Sequence, residues 1–302
     1  MSADFRRFPP KNMIFVNEIV CVYLTYRRIS PINSISVNMS TYSQRRKQIT
    51  KLVPEGSLVT RSWLQAHELT NHAIDNLLKS QQLETVKNGV YKREGSKIEW
   101  GDVVYFLQRQ LSTDLTIGGI SALELQKLAH YLPISEQRLV HLYGRDNLPV
   151  WVNGLATGTK FQKHSSRDLF GNSVEDEKAS ELIEFTKVLN WKNTNEGLRI
   201  ATPERAILEV MNQVPGSISF EHADELMQGL NTLSPRTLQK LLELCTSVKV
   251  RRMFFYLAER QNHSWFTKLQ TENINFGSGN RVIVKGGKLN KKYKITVPDF
   301  YE

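Results

Sequence analysis

The chain reads as α+β, with a small N-terminal winged helix-turn-helix followed by a larger mixed α+β domain. Three observations lead there. Thr60 and Thr70 each stand just before a helical run, where an N-cap belongs. Asn88-Gly89 joins two β-prone runs, the strongest short-range hairpin signal. After Lys97, helix-like and strand-like segments follow one another without an internal repeat.

Residues 1–38 carry irregular apolar clusters, Pro9-Pro10 and no clean period. They are read as an over-extended start or a loose tail, with a short docking helix as the alternative. Met39 opens more orderly text, so the winged domain is expected over 39–97 and the α+β domain over 98–302. Helix one is predicted from Tyr42 to Val53, stopped by Pro54-Glu55-Gly56. Helix two covers Arg61 to Ala66, and a turn follows at His67 to Leu69. Thr70 or Asn71 caps helix three, predicted from His72 to Gln81. Leu83 to Val86 and Gly89 to Arg93 form the wing through Lys87-Asn88-Gly89.

In the larger domain, Trp100 to Leu111 is predicted as an amphipathic helix and Gly118-Gly119 as a break. Ser121 with Glu124 reads as a capping-box pair, starting a helix through Leu125, Leu128 and Leu132 that Pro133 helps to end. Strands are expected at Leu139 to Leu142, Pro149 to Val152 and Thr159 to Gln162. Thr202-Pro203-Glu204 opens a helix over Ala206 to Met211, and Ser234-Pro235 opens another over Thr237 to Leu244. Val248 to Glu259 reads as a buried helix. Arg281 to Val284 and Tyr293 to Val297 read as two strands joined through Gly286-Gly287.

Composition narrows the function classes. Hydrophobic residues at 40% and charged residues at 23% allow a real core. A formal charge of +10 favours a polyanionic partner, because cations that neutralise phosphates release condensed counterions. Cys21 and Cys245 lie far apart and give neither a disulfide framework nor a zinc site. The nearest candidate for a bilayer span, Met13 to Leu24, is short against the roughly 20 residues needed and contains Asn17 and Glu18. No small-residue cleavage site follows it, so a cytoplasmic protein is expected. No metal and no cofactor is expected.

Helix three is the informative element. His72, Asp75, Asn76 and Lys79 recur at i, i+3, i+4 and i+7 and share one face. Ile74, Leu77 and Leu78 line the opposite face, with Ala73 beside them. In a helix-turn-helix the free face of this helix enters the major groove, N-terminal residues nearest the bases. Asn76 can pair bidentately with adenine, and His72 can donate to guanine or phosphate. Asp75 accepts from cytosine or orients a neighbour. Asn71 belongs to the same candidate surface. Candidate phosphate contacts are Arg45, Arg46 and Lys47 at the start of helix one, Arg61 after its cap, and Lys87, Asn88, Lys92 and Arg93 on or beside the wing. Trp63 and Leu64 read as core. The bland alternative for the whole face is a solvated polar surface.

Catalytic motifs are missing from the sequence. Gly277-Ser278-Gly279 is similar to the opening of a nucleotidyltransferase loop, but Asn280, Arg281 and Val282 stand where a magnesium-binding acidic pair belongs. No P-loop, HExxH or GxSxG occurs. A basic run contains Arg281, Lys285, Lys288, Lys291, Lys292 and Lys294 and no acid. It is a candidate partner site: a second nucleic-acid surface, a surface for an acidic protein, or a solvated loop.

Several of these segments together resemble a known family. Ser62-Trp63-Leu64, Leu83 to Val86, Gly89 to Arg93 and Trp100 look like the N-terminal domain of AbiEi-type antitoxins. So do Gly118 to Gln126 and Ala129 to Leu132; farther on, Pro203-Glu204-Arg205-Ala206, Arg251 to Glu259 and Gly277 to Gly287 also look like that family. The resemblance runs from about Ser57 to the C-terminus. It implies a winged-helix domain joined to an antitoxin domain, repression of its own operon, and opposition, direct or functional, to a nucleotidyltransferase-like toxin in phage defence by abortive infection. Carried over by position, it places the DNA face on Arg61, His72, Asn76, Lys79, Lys87 and Arg93. One departure stands out: Glu68 replaces the glycine often found between helices two and three. The competing readings are a DNA-targeted nuclease or nucleotidyltransferase, and a ligand-sensing transcription factor.

Overall fold

The computed structural model describes residues 48–129, 137–171, 182–192, 194 and 196–301. The expected tail over 1–38, the start of helix one with Arg45, Arg46 and Lys47, Cys21, and Leu132 with Pro133 lie outside the described residues.

Helix one is helical over 48–52. Strand β1, Val59–Thr60, leads into α1, Arg61–Ala66, whose cap is Thr60 with its side chain accepting the Trp63 amide. The tight turn to α2, Asn71–Lys79, places Glu68 at φ 66. Glu68 thus takes the left-handed conformation that glycine adopts without strain. Thr70 caps α2 by accepting from Ala73. The helix ends at Lys79, two residues short of the predicted Gln81, because Gln81 also turns left-handed at φ 55. Strands β2, Leu83–Lys87, and β3, Val90–Arg93, pair antiparallel around Asn88-Gly89, with Gly89 at φ 77. β1 adds itself to β3, giving the order β1-β3-β2. Two residues are too short a run to have been read as a strand. Ile49, Val53, Leu64, Leu69, Ile74, Leu77, Leu83 and Tyr91 form this unit's core. Trp63 is only partly buried and stacks on His67 at 3.8 Å.

The larger part is built on a five-stranded sheet ordered β6-β5-β4-β8-β7. Its strands are β4 Thr116–Ile117, β5 Arg138–Gly144, β6 Thr159–Ser165, β7 Thr186–Leu189 and β8 Leu198–Ala201. β5 runs parallel to β6 and β4 parallel to β8, and the other two pairings are antiparallel. The helix expected from Trp100 to Leu111 is α3, Trp100–Tyr105, continued by a π-helix, Phe106–Gln110. It is not amphipathic: Val103, Val104, Phe106, Leu107 and even Gln108 are buried. The four apolar ones pack with Leu142, Phe161 and Ile200 on one face of the sheet, together with Leu58 and Val90 from the winged unit. The two parts therefore share a core. Within the larger part, Asp102 ties α3 to the segment after β7, accepting from the Trp191 indole at 2.8 Å and the Lys192 ammonium at 2.6 Å.

The helices gather on the remaining core. They are α4 Gly119–Leu125, α5 Arg167–Phe170, α6 Pro203–Asn212, α7 Phe220–Gly229, α8 Pro235–Leu244 and α9 Val248–Gln261. Thr202, Ser219, Ser234 and Ser247 cap the last four through their hydroxyls. The predicted Ser121–Glu124 cap is wrong. Gly118 is the N-cap of α4, and Ser121 lies buried inside it, accepting the His141 amide at 3.1 Å. A tertiary partner has taken the hydroxyl that local reading assigned to the cap. The helix stops at Leu125 rather than running on through Leu128, since Lys127 turns left-handed at φ 60. Pro149 to Val152 is not a strand. Proline cannot donate to a ladder, and the segment forms a 3-10 turn, Val150–Gly154, with Val150 fully outside the core. At the C-terminus the hairpin is β9 Lys288–Asn290 with β10 Ile295–Val297. Of the predicted strand Arg281 to Val284, only Arg281 bridges to Ile295. The Ile283 and Val284 amides donate instead to the Thr296 hydroxyl at 2.9 and 3.1 Å, which replaces a ladder.

Buried charges tie the helices to the sheet. Glu209 of α6 accepts from Arg205 and from the Gly119 amide, both at 2.8 Å. A Cβ on Gly118 would stand 2.2 Å from the Glu209 carboxylate, so the glycine is required by close approach. On the same side of the sheet, His141 Nδ1 and His164 Nε2 of neighbouring strands share a hydrogen bond of 2.8 Å. Burial, and then the neighbouring His164, push His141 down from 6.5 to about 4.

Two outcomes follow. His141 is neutral in the folded chain, while in the unfolded chain it takes up a proton below about pH 6.5. Stability is therefore complete above that pH and declines as pH falls toward 4, by up to about 3 kcal/mol. Urea titrations from pH 7.5 to 4.5 should show this limb in the native chain and a flatter one in His141→Gln. Glu68→Gly should raise stability by about 0.5–1 kcal/mol, because the left-handed strain it removes exceeds the added freedom of the unfolded chain. Thermal melts check the direction.

Candidate nucleic-acid interface

The α2 sequence separates its two sides cleanly. Ile74 and Leu77 sink into the winged unit's core, and Leu78 is partly buried beside them. His72 and Lys79 are exposed on the other side, and Asp75 and Asn76 are partly exposed. The Asn76 amide forms no hydrogen bond among the described residues, so both its donor and its acceptor remain available.

Arg61 stands across the angle between the two helices. It donates to Asn71 Oδ1 at 2.8 Å, to Asp75 Oδ1, and to the Tyr91 hydroxyl at 3.3 Å. Gln65 donates to the same Asn71 oxygen at 2.9 Å. Asp75 thus orients its neighbour, and Asn71 is a tie between α1 and α2. The guanidinium is 34% exposed, and its charge is balanced by Asp75, so it brings orientation more than net charge. These partners are up to thirty residues from Arg61, beyond the reach of helical periodicity.

The wing divides the remaining candidates. Lys87 and Asn88 are exposed at the tip, and Lys79 is exposed on the helix. Lys92 pairs with Glu84 at 3.2 Å and donates to the Ser96 carbonyl, and Arg93 lies 3.8 Å from Glu55. The structure therefore brings His72, Asn76, Lys79, Lys87 and Asn88 to an open surface and draws Lys92 and Arg93 into ion pairs.

The six cations of the C-terminal candidate site are all exposed. Lys292 pairs with Glu259 of α9. The glycine loop beside them has a structural occupant. Arg252 of α9 is 1% exposed, and its guanidinium donates to the carbonyls of Phe276, Gly277, Gly279 and Lys294 at 2.6–3.1 Å. Sequence reading missed this cage, although an arginine inside a buried helix is a signal that some acceptor must close around it.

Residues 43–134 match the family described as transcriptional regulator, AbiEi antitoxin N-terminal domain, and residues 137–298 match transcriptional regulator, AbiEi antitoxin, type IV TA system. The chain belongs to the AbiEi antitoxin family. AbiEi proteins are thus described as transcriptional regulators and antitoxins. Among solved structures, the RV2827C protein from Mycobacterium tuberculosis is similar, with a TM-score of 0.52 and 14% identity over 84% of this chain and 89% of that one. That likeness speaks to the fold. No curated protein sequence matches. No helix among the described residues is long and apolar enough to cross a membrane.

Proposed function

We propose that this AbiEi chain is a cytoplasmic, non-catalytic repressor of its own operon and the antitoxin to a nucleotidyltransferase-like toxin in phage defence, directly or functionally. The winged helix-turn-helix of 39–97 reads the operator, and 98–302 carries the antitoxin role. One observation carries the DNA reading: α2 hides Ile74 and Leu77 and leaves His72, Asn76 and Lys79 outward beside the exposed wing tip. Such a face fits a major groove, with Asn76 free to pair with adenine. Lys79, Lys87 and Asn88 supply phosphate contacts, as do Arg45, Arg46 and Lys47 ahead of helix one. Arg61 is held ready by Asp75 and Asn71, and Lys92 and Arg93 reach phosphate only by leaving their present partners. The Arg252 cage counts against a nucleotidyltransferase reading of the glycine loop, because the loop's carbonyls already serve a side chain.

Gel-shift titration with the chain's own upstream region tests this. His72→Ala with Asn76→Ala should weaken operator binding by about tenfold or more while leaving non-cognate duplex binding almost unchanged. Lys87→Ala should weaken all duplexes alike and lower the slope of log K against log salt by about one. Wild-type operator affinity in the His72/Asn76 variant would remove the groove assignment. For the antitoxin role, co-expression of a neighbouring nucleotidyltransferase-like toxin should be tolerated with this chain and lethal without it.

A further inference from the structure

The C-terminal hairpin borders an open cleft of roughly 560 Å³ between α9 and the turn joining β9 to β10. Its walls combine two chemistries. Phe266 and Phe276 present partly exposed rings, packed edge-on against the buried Phe255 at 6.0 and 5.0 Å. Lys292 and Lys294 stand exposed at its edge, either side of Tyr293. Arg281 adjoins them, its backbone amide donating to the Lys294 carbonyl at 2.9 Å, and Lys285 and Lys288 continue the cations along the same hairpin. From Asn273 to Pro298 the chain has no acid.

We infer that this cleft and hairpin form a second nucleic-acid site, separate from the winged unit and taking single-stranded RNA or DNA. Cations along a groove with aromatic rings beside them match how single strands are held, with the backbone on the charges and the bases stacked on the rings. A duplex keeps its bases stacked inside and cannot offer them to recessed rings. An acidic protein would use the lysines but leave the rings idle, and it would meet Glu259 inside the cleft. That carboxylate is fixed by Lys292 and by the Tyr293 hydroxyl at 3.0 Å. In a site for bases it has a use: a carboxylate accepts from the exocyclic amino group of a base. Chemical groups that conflict for a peptide partner therefore agree for an unpaired nucleotide. The inference stands independently of the operator reading, since no residue of α2 or the wing takes part.

The test uses the full chain, a fluorescein-labelled RNA of about twelve nucleotides, and an excess of unlabelled non-cognate duplex to occupy the winged surface. Anisotropy should show saturable, salt-sensitive binding. The triple variant Lys291→Ala, Lys292→Ala, Lys294→Ala should weaken it about tenfold or more. Phe266→Leu, which keeps apolar bulk and loses the ring, should weaken it about fivefold without changing the salt slope. Both variants should shift the operator duplex as wild type does, which also shows that they are folded. No saturable RNA binding, RNA binding indifferent to both variants, or hairpin-dependent capture of the purified toxin without RNA binding would overturn the inference. Loss of operator binding in the His72/Asn76 variant leaves the RNA arm untouched, so the two readings fail separately.

Discussion

The body of the protein depends on a carboxylate with no access to water. Glu209 sits where the sheet, α4 and α6 converge, and burial alone would push its carboxyl up toward the neutral form. The Arg205 guanidinium and the Gly119 amide oppose that, and each of the three groups would be costly to bury without the others. Everything near it is fitted to this arrangement. Gly118 has no side chain because the carboxylate occupies the space, and Tyr143 closes over the adjoining glycine. Arg252 solves the converse problem. This buried cation is wrapped in four backbone carbonyls, and the chain that supplies them turns left-handed at Gly277 and Gly279.

This explains what the family likeness reports. Gly118-Gly119, Pro203-Glu204-Arg205, Arg251-Arg252 and Gly277-Ser278-Gly279 all fall on these two buried-charge clusters or beside them. Glu204 extends the first by accepting the Ser234 amide at 2.8 Å, which ties α6 to the start of α8. Such residues build the scaffold, and the outward face of α2 lies apart from both clusters.

The same distinction decides what could be read from sequence. Caps at Thr60, Thr70, Thr202 and Ser234 were legible because each bonds an amide three residues on, and the wing was legible because Asn-Gly sets its turn locally. The outward set on α2 followed from helical period alone. Reading failed where a distant group claimed the atoms. Ser121 serves a strand twenty residues away, and Thr296 satisfies the amides that a strand over Arg281 to Val284 would have paired. Within the candidate site, the pairing of Arg61 with Asp75 and Tyr91 was hidden for the same reason, and so were the ion pairs that engage Lys92 and Arg93.

Leu58 and Val90 are winged-unit residues embedded among the side chains of α3 and the large sheet. A joint made of interdigitated apolar groups behaves as a weld rather than a tether. Whatever angle α2 adopts against a ligand, the remaining two-thirds of the molecule must adopt too, like a flag fixed to its pole. The compass bearing of the C-terminal hairpin would then be set by which way α2 happens to face.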